Sequence, residues 1–200
     1  MTIGKDGDRY RQEEKAVWRI TEKMIKVVKF GGSSLASAEQ FKKVGRIIRK
    51  EESRRYVIPS APGKRTPDDT KVTDMLYSCY NLAAIGDEYE EEFEEQLAAI
   101  RERYDAIIRG LDLSVSLEEE FKAIRTNFCR KAGRDYAASR GEYLNGILMA
   151  NYLDYEFIDA AEVIFFDESG NFDGDKTNQV LAERLARTER AVIPGFYGSM

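Results

Sequence analysis

The sequence predicts an α/β fold with a mainly parallel sheet that is covered by helices on both faces. Short, β-branched apolar runs alternate along the 200 residues with longer segments in which apolar residues recur every three or four positions. This alternation is typical of strands joined by helical crossovers, which make neighbouring strands parallel. In sheets of this kind, ligands bind outside the carboxyl ends of the strands.

Composition narrows the possible functions. Hydrophobic residues make up 42% and charged residues 34% of the chain, which suits one globular domain or part of a larger one. The net charge of −5 predicts no general attraction to nucleic acid or to an anionic membrane. Cys79 and Cys129 fit no metal or redox spacing. No stretch is apolar enough for a membrane span or a signal peptide. We therefore expect a cytoplasmic protein with reduced cysteines. The lack of histidine excludes Ser-His-Asp and Cys-His catalysis and histidine metal ligands.

The first 24 residues differ from the rest of the chain. They are mostly polar and charged, and we interpret residues 1–24 as an N-terminal extension to a domain of residues 25–200. A first helix that packs through Trp18 is the alternative interpretation.

The first predicted strand leads directly into two glycines. Residues 25–30 form a β-branched run that we interpret as a buried strand. Gly31 and Gly32 lack a Cβ, so the backbone can turn sharply there and approach a ligand. A helix follows, and its N-terminus could hold an anion together with the ammonium group of Lys29. The segment is a candidate phosphate site, although on these features alone an ordinary tight turn is the more frequent explanation.

The remaining elements follow from the same patterns. Capping boxes at Ser37–Gln40 and Ser116–Glu119 mark the starts of two helices. The helix of residues 87–110 and the helix that begins at Ser116 are expected to form a hairpin against the sheet. Further helices are expected from Lys71, around 139–150 and around 180–185, and further strands at 56–58, 156–160, 163–166 and 191–193.

Residues 59–70 form a long loop rich in Pro, Asp and Thr, and a loop of this length is uncommon unless it is functional. If the strands are parallel, four loops gather at one edge of the sheet. These loops are Lys29–Ser34, Ser60–Asp74, Ser139–Glu142 and Pro194–Ser199.

In this order, the four loops resemble segments of the amino-acid kinase family, and within it most closely those of the aspartokinases. The resemblance covers about residues 25–199. It is carried by Lys29-Phe30-Gly31-Gly32-Ser33-Ser34, Ser60-Ala61-Pro62-Gly63-Lys64-Arg65 with Lys71-Val72-Thr73-Asp74, Ser139-Arg140-Gly141-Glu142, Asp159-Ala160 and Pro194-Gly195-Phe196-Tyr197-Gly198.

The resemblance implies a fold and an activity. The fold would be the three-layer α/β/α sandwich of this family, with its C-terminal part missing. The activity would be phosphoryl transfer from ATP, which carries Mg²⁺, to the side-chain carboxylate of L-aspartate. The product, 4-phospho-L-aspartate, would open the pathway to lysine, threonine and methionine. A full-length protein would be a homo-oligomer.

The resemblance also assigns the phosphate-binding residues. Lys29 would neutralise the β- and γ-phosphates and would be the catalytic residue. The backbone N–H groups of Gly31, Gly32 and Ser33 would hold the phosphoryl oxygens. No metal ligand is expected in the chain itself.

Five residues would surround the amino acid. By their positions in the motifs, Ser60, Ala61 and Thr73 would contact it, Glu142 would pair with its α-ammonium group, and Phe196 would border it. Two structural alternatives remain, since Glu142 could favour a helix N-terminus and Thr73 could cap a helix.

The chain departs from the family pattern at its end. It stops at Met200, before the loop in which the family carries an arginine, a catalytic aspartate and the nucleoside pocket. We therefore expect this chain alone to be weakly active or inactive, and we expect its sheet to expose an edge. The alternatives are a kinase for glutamate, acetylglutamate or carbamate, and a non-catalytic half-domain that binds aspartate or a partner subunit.

Overall fold

The computed structural model describes residues 24–200, so the predicted N-terminal extension lies outside the described residues apart from Met24. The strands are β1 (Lys26–Phe30), β2 (Arg54–Pro59), β3 (Glu156–Phe157) and β4 (Ala191–Val192). The helices are α1 (Ala38–Arg49), α2 (Val72–Ile85), α3 (Glu90–Leu111), α4 (Glu118–Cys129), α5 (Arg134–Leu153), α6 (Ala160–Val163) and α7 (Gly174–Leu185). Short 3-10 turns occupy Gly32–Leu35 and Asp87–Tyr89.

The four strands form one parallel sheet in the order β1-β2-β4-β3. Val57 of β2 pairs with Val28 of β1 on one side and with Val192 of β4 on the other. The parallel α/β prediction is therefore confirmed. Because all strands run the same way, the loops that follow β1, β2 and β4 leave the sheet at one edge.

Helices pack on both faces of the sheet. Val57 and Val192 point into a large core that they share with helices α1 to α5. Their neighbours Tyr56 and Ala191 point the other way, into a smaller core that Leu181 and Leu185 of α7 border. This division follows from the alternation of side chains along a strand.

The expectation that the first strand is buried is wrong for part of β1. The side chain of Val27 is 64% exposed, while Val28 and Phe30 are half-buried. The reason is that β1 is an edge strand and that α7 does not extend over it. An apolar groove of about 380 Å³ opens there, lined by residues such as Val27, Ile58 and Phe196.

The strand predicted at 163–166 is not present. Residues Ala160–Val163 form the short helix α6, because the Asp159 side chain accepts a hydrogen bond from the Ala161 N–H and caps this turn. Phe165 and Phe166 then make only isolated bridges. The strand predicted at 156–160 is likewise shorter and ends at Phe157.

The helical hairpin is present but lies differently from the prediction. Helix α3 packs mainly on α1 and α2, and α4 packs on α2 and α5, so the pair adds to the helical layer and does not cover strands directly. The predicted capping box at its second helix is also wrong. Helix α4 begins at Glu118, and the Ser116 hydroxyl accepts from the Glu118 N–H at 3.3 Å, while Glu119 plays no part in the cap.

Within residues 24–200, no helix combines the length and hydropathy that a membrane crossing requires.

Candidate active site

The loops after β1 and β2 pack backbone against backbone. The Gly63 N–H donates to the Gly32 carbonyl at 2.9 Å. A Cβ on Gly32 would lie 2.7 Å from the Ala61 carbonyl oxygen, and a Cβ on Gly63 would lie 2.7 Å from the Gly32 carbonyl carbon. Both positions therefore require glycine. Gly31 does not, because its φ is −75° and nothing lies within 4 Å of where a Cβ would be.

The first helix starts where the sequence predicts it, with Ser37 as its N-cap, and a short turn lies between the glycines and this start. This is the 3-10 turn at Gly32–Leu35, and the Ser34 N–H donates back to the Gly31 carbonyl at 3.0 Å. Helix α1 begins only at Ala38, where Ser37 accepts from the Gln40 N–H as predicted. The dipole of α1 is therefore displaced from the glycines, and the capacity to hold an anion depends on the N–H groups of the turn and on Lys29.

The ammonium group of Lys29 faces the start of the second loop. Its Nζ donates to Ser60 Oγ at 3.3 Å, and the Ser60 N–H donates to the Phe30 carbonyl at 3.0 Å. Among the side chains that the structure describes, no carboxylate forms an ion pair with Lys29 Nζ. This exposed cation is thus free to neutralise a bound anion.

The predicted loop Ser139–Glu142 is in fact part of helix α5. Its Gly141 packs so closely that a Cβ there would lie 2.7 Å from the Ala61 Cβ. Glu142 lies in the middle of α5, so the alternative that it serves a helix N-terminus is wrong. Burial raises the pKa of Glu142, while hydrogen bonding from the Ala61 N–H and the charge of Lys29 partly oppose this rise. In the described part of the chain, its buried Oε2 atom has no hydrogen-bond partner.

Asn145 belongs to the site, although sequence reasoning missed it. It lies one turn after Glu142 on α5 and is fully buried. Its Nδ2 donates to the Ser60 carbonyl at 2.6 Å. Because a carbonyl can only accept, this contact fixes the orientation of the Asn145 amide. Within residues 24–200 its Oδ1 has no partner. The available signal was a polar residue three positions after Glu142, on a helix that also buries the polar Ser139.

The second loop is held from behind by Arg103 of α3, which sequence reasoning also missed. Arg103 is only 5% exposed and donates to the carbonyls of Gly63 at 2.8 Å and Thr70 at 3.0 Å. It also pairs with Asp69, which accepts from Arg65 as well. Hydrogen bonding from Arg65 and the charge of Arg103 hold the pKa of Asp69 well below its usual range.

The sequence signal for Arg103 was its place in a buried helical stripe. It lies between Ile100 and Ile107, both of which are buried in the core. The adjacent Tyr104 is fully buried and donates its hydroxyl hydrogen to the Gly141 carbonyl at 2.9 Å. Helix α3 therefore supports both the second loop and the segment that carries Glu142.

Thr73 lies at the border of this cluster. It is the second residue of α2, whose N-cap is Lys71 and whose start has no side-chain cap, so the capping alternative for Thr73 is wrong. The Val72 N–H donates to the Pro62 carbonyl at 3.1 Å, which ties the start of α2 to the second loop.

Phe196 is not packed among the buried site residues. Its side chain is 73% exposed, and its φ of +77° places it in the left-handed region. The structure thus brings Lys29, Gly32, Ser60, Ala61 and Glu142 into one connected set of contacts, and it leaves Phe196 exposed on the turn after β4.

The sequence model described as "Amino acid kinase family" matches residues 24–199. The chain belongs to the amino acid kinase family. The resemblance seen in the motifs is therefore confirmed at the level of the family.

The curated relatives within this family are aspartokinases. Aspartokinase 3 of Bacillus subtilis is 34% identical over an alignment of 192 residues, and the match covers 87% of this chain and 40% of the relative. The chloroplastic Aspartokinase 1 of Arabidopsis thaliana is 31% identical over 195 residues and is covered over 33% of its length. The chain thus spans well under half the length of these relatives.

Solved structures of amino acid kinases show the same fold. The aspartate kinase of Clostridium acetobutylicum is 48% identical with a TM-score of 0.83, and the match covers 88% of this chain and 40% of that one. Escherichia coli aspartokinase III in complex with aspartate and ADP matches with a TM-score of 0.69 at 23% identity, which supports the fold alone.

Proposed function

We propose that this chain carries the phosphate-binding and amino-acid-binding part of an aspartate kinase, which transfers the γ-phosphoryl group of ATP to the side-chain carboxylate of L-aspartate. The half-buried Glu142 carboxylate carries this proposal, because it lies across Ser60 and Ala61 from the ammonium of Lys29. An amino acid with its ammonium group at Glu142 and a nucleotide with its phosphates at Lys29 together complement this separation of charge.

The nucleotide end of the site is the loop after β1. Lys29 would bind the β- and γ-phosphates, and the N–H groups of Gly31, Gly32 and Ser33 would bind the phosphoryl oxygens. The fit is supported by the exposed ammonium of Lys29, which donates to Ser60 Oγ, and by the close packing of Gly32 against Ala61 and Gly63, which holds this loop in place. Mg²⁺ bound to the ATP would supply further positive charge on the phosphates.

The amino-acid end is formed by the second loop and α5. The Oε2 atom of Glu142 is a buried acceptor that lacks a donor within the described residues, and the α-ammonium group of L-aspartate would supply one. Ser60, Ala61 and Thr73 would contact the rest of the amino acid, and Phe196 would border it from the turn after β4.

The proposed reaction requires no covalent intermediate with the protein. The side-chain carboxylate of L-aspartate is already ionised at neutral pH, so its oxygen can attack the γ-phosphorus without a general base. The bond from the γ-phosphorus to the leaving ADP oxygen breaks as the new bond forms, giving 4-phospho-L-aspartate and ADP. The contribution of the chain is to align the two reactants and to place positive charge on the transferring group.

The proposal also covers the pathway, the location and the assembly of the enzyme. An aspartate kinase would catalyse the first step toward lysine, threonine and methionine, would act in the cytoplasm and would assemble as a homo-oligomer.

Calorimetric titration of L-aspartate into the 200-residue chain, with and without ATP, tests the binding part of the proposal. We expect saturable binding that Glu142→Gln weakens at least tenfold, because a charge-assisted hydrogen bond is lost. Glu162→Gln, at an exposed position on α6, is the matched control and should bind like the wild type. Absence of binding, or equal effects of the two substitutions, would contradict the assignment of Glu142.

ADP release tests the reaction, with aspartate, glutamate, acetylglutamate and carbamate compared as acceptors. We expect aspartate to be preferred, with low turnover by the 200-residue chain and higher turnover when the remaining length found in the relatives is supplied. Preference for another acceptor would identify a different kinase of the family. Aspartate binding without ADP release, even in the longer protein, would favour the non-catalytic half-domain.

A further inference from the structure

The turn Pro194–Ser199 after β4 holds Phe196 in an unusual conformation. Its φ of +77° is rare for a residue with a bulky side chain, and such a residue persists only when its surroundings hold it there. The side chain of Phe196 itself is 73% exposed and makes little packing that could do so. The restraint must therefore come from its neighbours.

Tyr197, the next residue, is anchored through its hydroxyl group. It donates to Asp159 Oδ1 at 2.8 Å, and the same oxygen accepts from the Ala161 N–H at 3.0 Å at the start of α6. Burial, followed by the nearby charge of Asp159, raises the pKa of Tyr197 well above its ordinary value, so the hydroxyl remains a donor. The Ser199 hydroxyl donates to the Ala161 carbonyl at 2.8 Å, which secures the end of the turn to the same helix.

Arg140 of α5 holds the ring of Tyr197 from the other side. The centre of its guanidinium group lies 5.3 Å from the centroid of the Tyr197 ring, and it lies 4.6 Å and 4.5 Å from those of Tyr136 and Tyr143. Its Nε and Nη2 donate to Ser139 Oγ at 3.0 Å and 2.9 Å. Among the side chains that the structure describes, Arg140 has no ion pair, and its partners are the three aromatic faces and the Ser139 hydroxyl.

Granted the function proposed above, we propose that Arg140 and Asp159 are positioning residues that hold Tyr197 between them and thereby aim Phe196 at the amino-acid site. Arg140 lies two residues before Glu142 on α5, so the same helix carries the group for the substrate ammonium and the restraint on the turn. This arrangement also gives a role to the Asp159-Ala160 motif, which the catalytic scheme leaves unused.

Four substitutions test the inference: Arg140→Met, Arg140→Lys, Asp159→Asn and Tyr197→Phe. We expect Arg140→Met and Tyr197→Phe to weaken L-aspartate binding about tenfold, which corresponds to 1.4 kcal/mol, and to change ATP affinity less than twofold. Arg140→Lys should be intermediate, because lysine retains the charge but not the planar stacking surface. The double substitution Arg140→Met with Asp159→Asn should be less than additive, since both residues act through Tyr197.

Arg134→Met is the matched control for Arg140→Met. Arg134 lies on the same helix, and the centre of its guanidinium group is 4.6 Å from the centroid of the Tyr77 ring. It donates a hydrogen bond to Asn81 Oδ1, at a distance from the turn. We expect it to leave both affinities unchanged. A loss of ATP and aspartate affinity in equal proportion in the Arg140 and Tyr197 variants would indicate a general structural role and would overturn the inference.

A second readout needs no ligand. Chymotrypsin cleavage after Phe196, followed by mass spectrometry, should become several-fold faster in Arg140→Met and Tyr197→Phe and should not change in Arg134→Met. Unchanged cleavage would show that these residues do not hold the turn. If the wild type fails to bind aspartate, the proposed function is wrong, whereas the cleavage rates still decide whether the turn is held by Arg140 and Asp159.

Discussion

Gly32 and Gly63 lie backbone against backbone, with the Gly63 N–H donating to the Gly32 carbonyl at 2.9 Å. This contact joins the loop proposed to bind phosphate to the loop proposed to bind the amino acid. Neither loop can shift at this point without the other.

Substituting Gly63 with Ala should therefore destabilise the protein. The added Cβ would lie 2.7 Å from the Gly32 carbonyl carbon, and a backbone atom cannot move aside as a flexible side chain can. We expect the free energy of unfolding to fall by about 2 kcal/mol, measured by urea denaturation. Gly31→Ala is the stability control, because its φ of −75° suits alanine and its Cβ site is open, and it should change stability by under about 1 kcal/mol. Equal losses in the two variants would contradict the close approach.

Arg103→Met should destabilise the protein by about 3 kcal/mol, because it leaves the carbonyls of Gly63 and Thr70 without their donor. Arg101→Met is the control on the same helix. Arg101 pairs with Glu118 at 2.8 Å, but both side chains are substantially exposed, so its removal should alter stability by less than about 1 kcal/mol. Urea denaturation measures both, and a similar small effect for the two variants would show that Arg103 does not support the second loop.

Asn145→Asp replaces the side-chain amide of Asn145 by a carboxylate of almost the same shape. The new carboxylate oxygen would face the Ser60 carbonyl oxygen, where the amide now donates at 2.6 Å, and we expect a loss of about 3 kcal/mol in unfolding free energy near neutral pH. Asn151→Asp, on an exposed part of α5, should cost less than about 1 kcal/mol. Thermal denaturation at several pH values checks this, since protonation at acid pH should restore part of the stability of Asn145→Asp only.

Glu142 should make stability depend on pH in a defined direction. Burial raises its pKa in the folded state above the ordinary value of 4.5, so between these two pKa values the folded state binds more protons than the unfolded state. Its contribution to stability is therefore largest at low pH and is lost as pH rises through the folded-state pKa. Glu142→Gln should remove this loss, so the stability difference between variant and wild type should grow as pH rises above 4.5. A difference that stays constant with pH would show that the pKa of Glu142 is not raised.

Aspartate binding should follow the opposite trend with pH. An ammonium ligand needs the ionised form of Glu142, so its affinity should fall as pH decreases through the raised pKa, and binding should release protons. Calorimetry in buffers of different ionisation enthalpy measures this release. Identical heats in all buffers would argue against an ionising carboxylate at the amino-acid end of the site.

Much of the fold was readable from local patterns. The strands at Lys26–Phe30 and Arg54–Pro59, and the long helix Glu90–Leu111, are present because periodicity reflects which face of a segment is buried. The failures involve short segments. Residues 163–166 have an apolar composition that suits a strand, but the cap supplied by Asp159 starts a helix just before them.

The candidate site likewise contains residues that local motifs predict and residues that only the folded chain brings into place. Sequence motifs predicted Lys29, Ser60 and Glu142 as site residues, and their residue types suit phosphate and amino-acid chemistry. They did not identify Arg103 or Asn145, whose partners Gly63 and Ser60 lie 40 and 85 positions away in the chain. A local pattern carries no information about such partners.

Local sequence patterns were sufficient for the family, for the parallel α/β architecture and for the order of the segments proposed to form the site. Tertiary structure decided that Val27 is exposed, that the glycine loop is separated from the N-terminus of α1, and that Phe196 adopts a left-handed conformation. The physical reason is that periodicity and turn propensity depend on neighbours in sequence, whereas burial, the donors available to a buried carbonyl and backbone strain depend on segments that meet only when the chain folds.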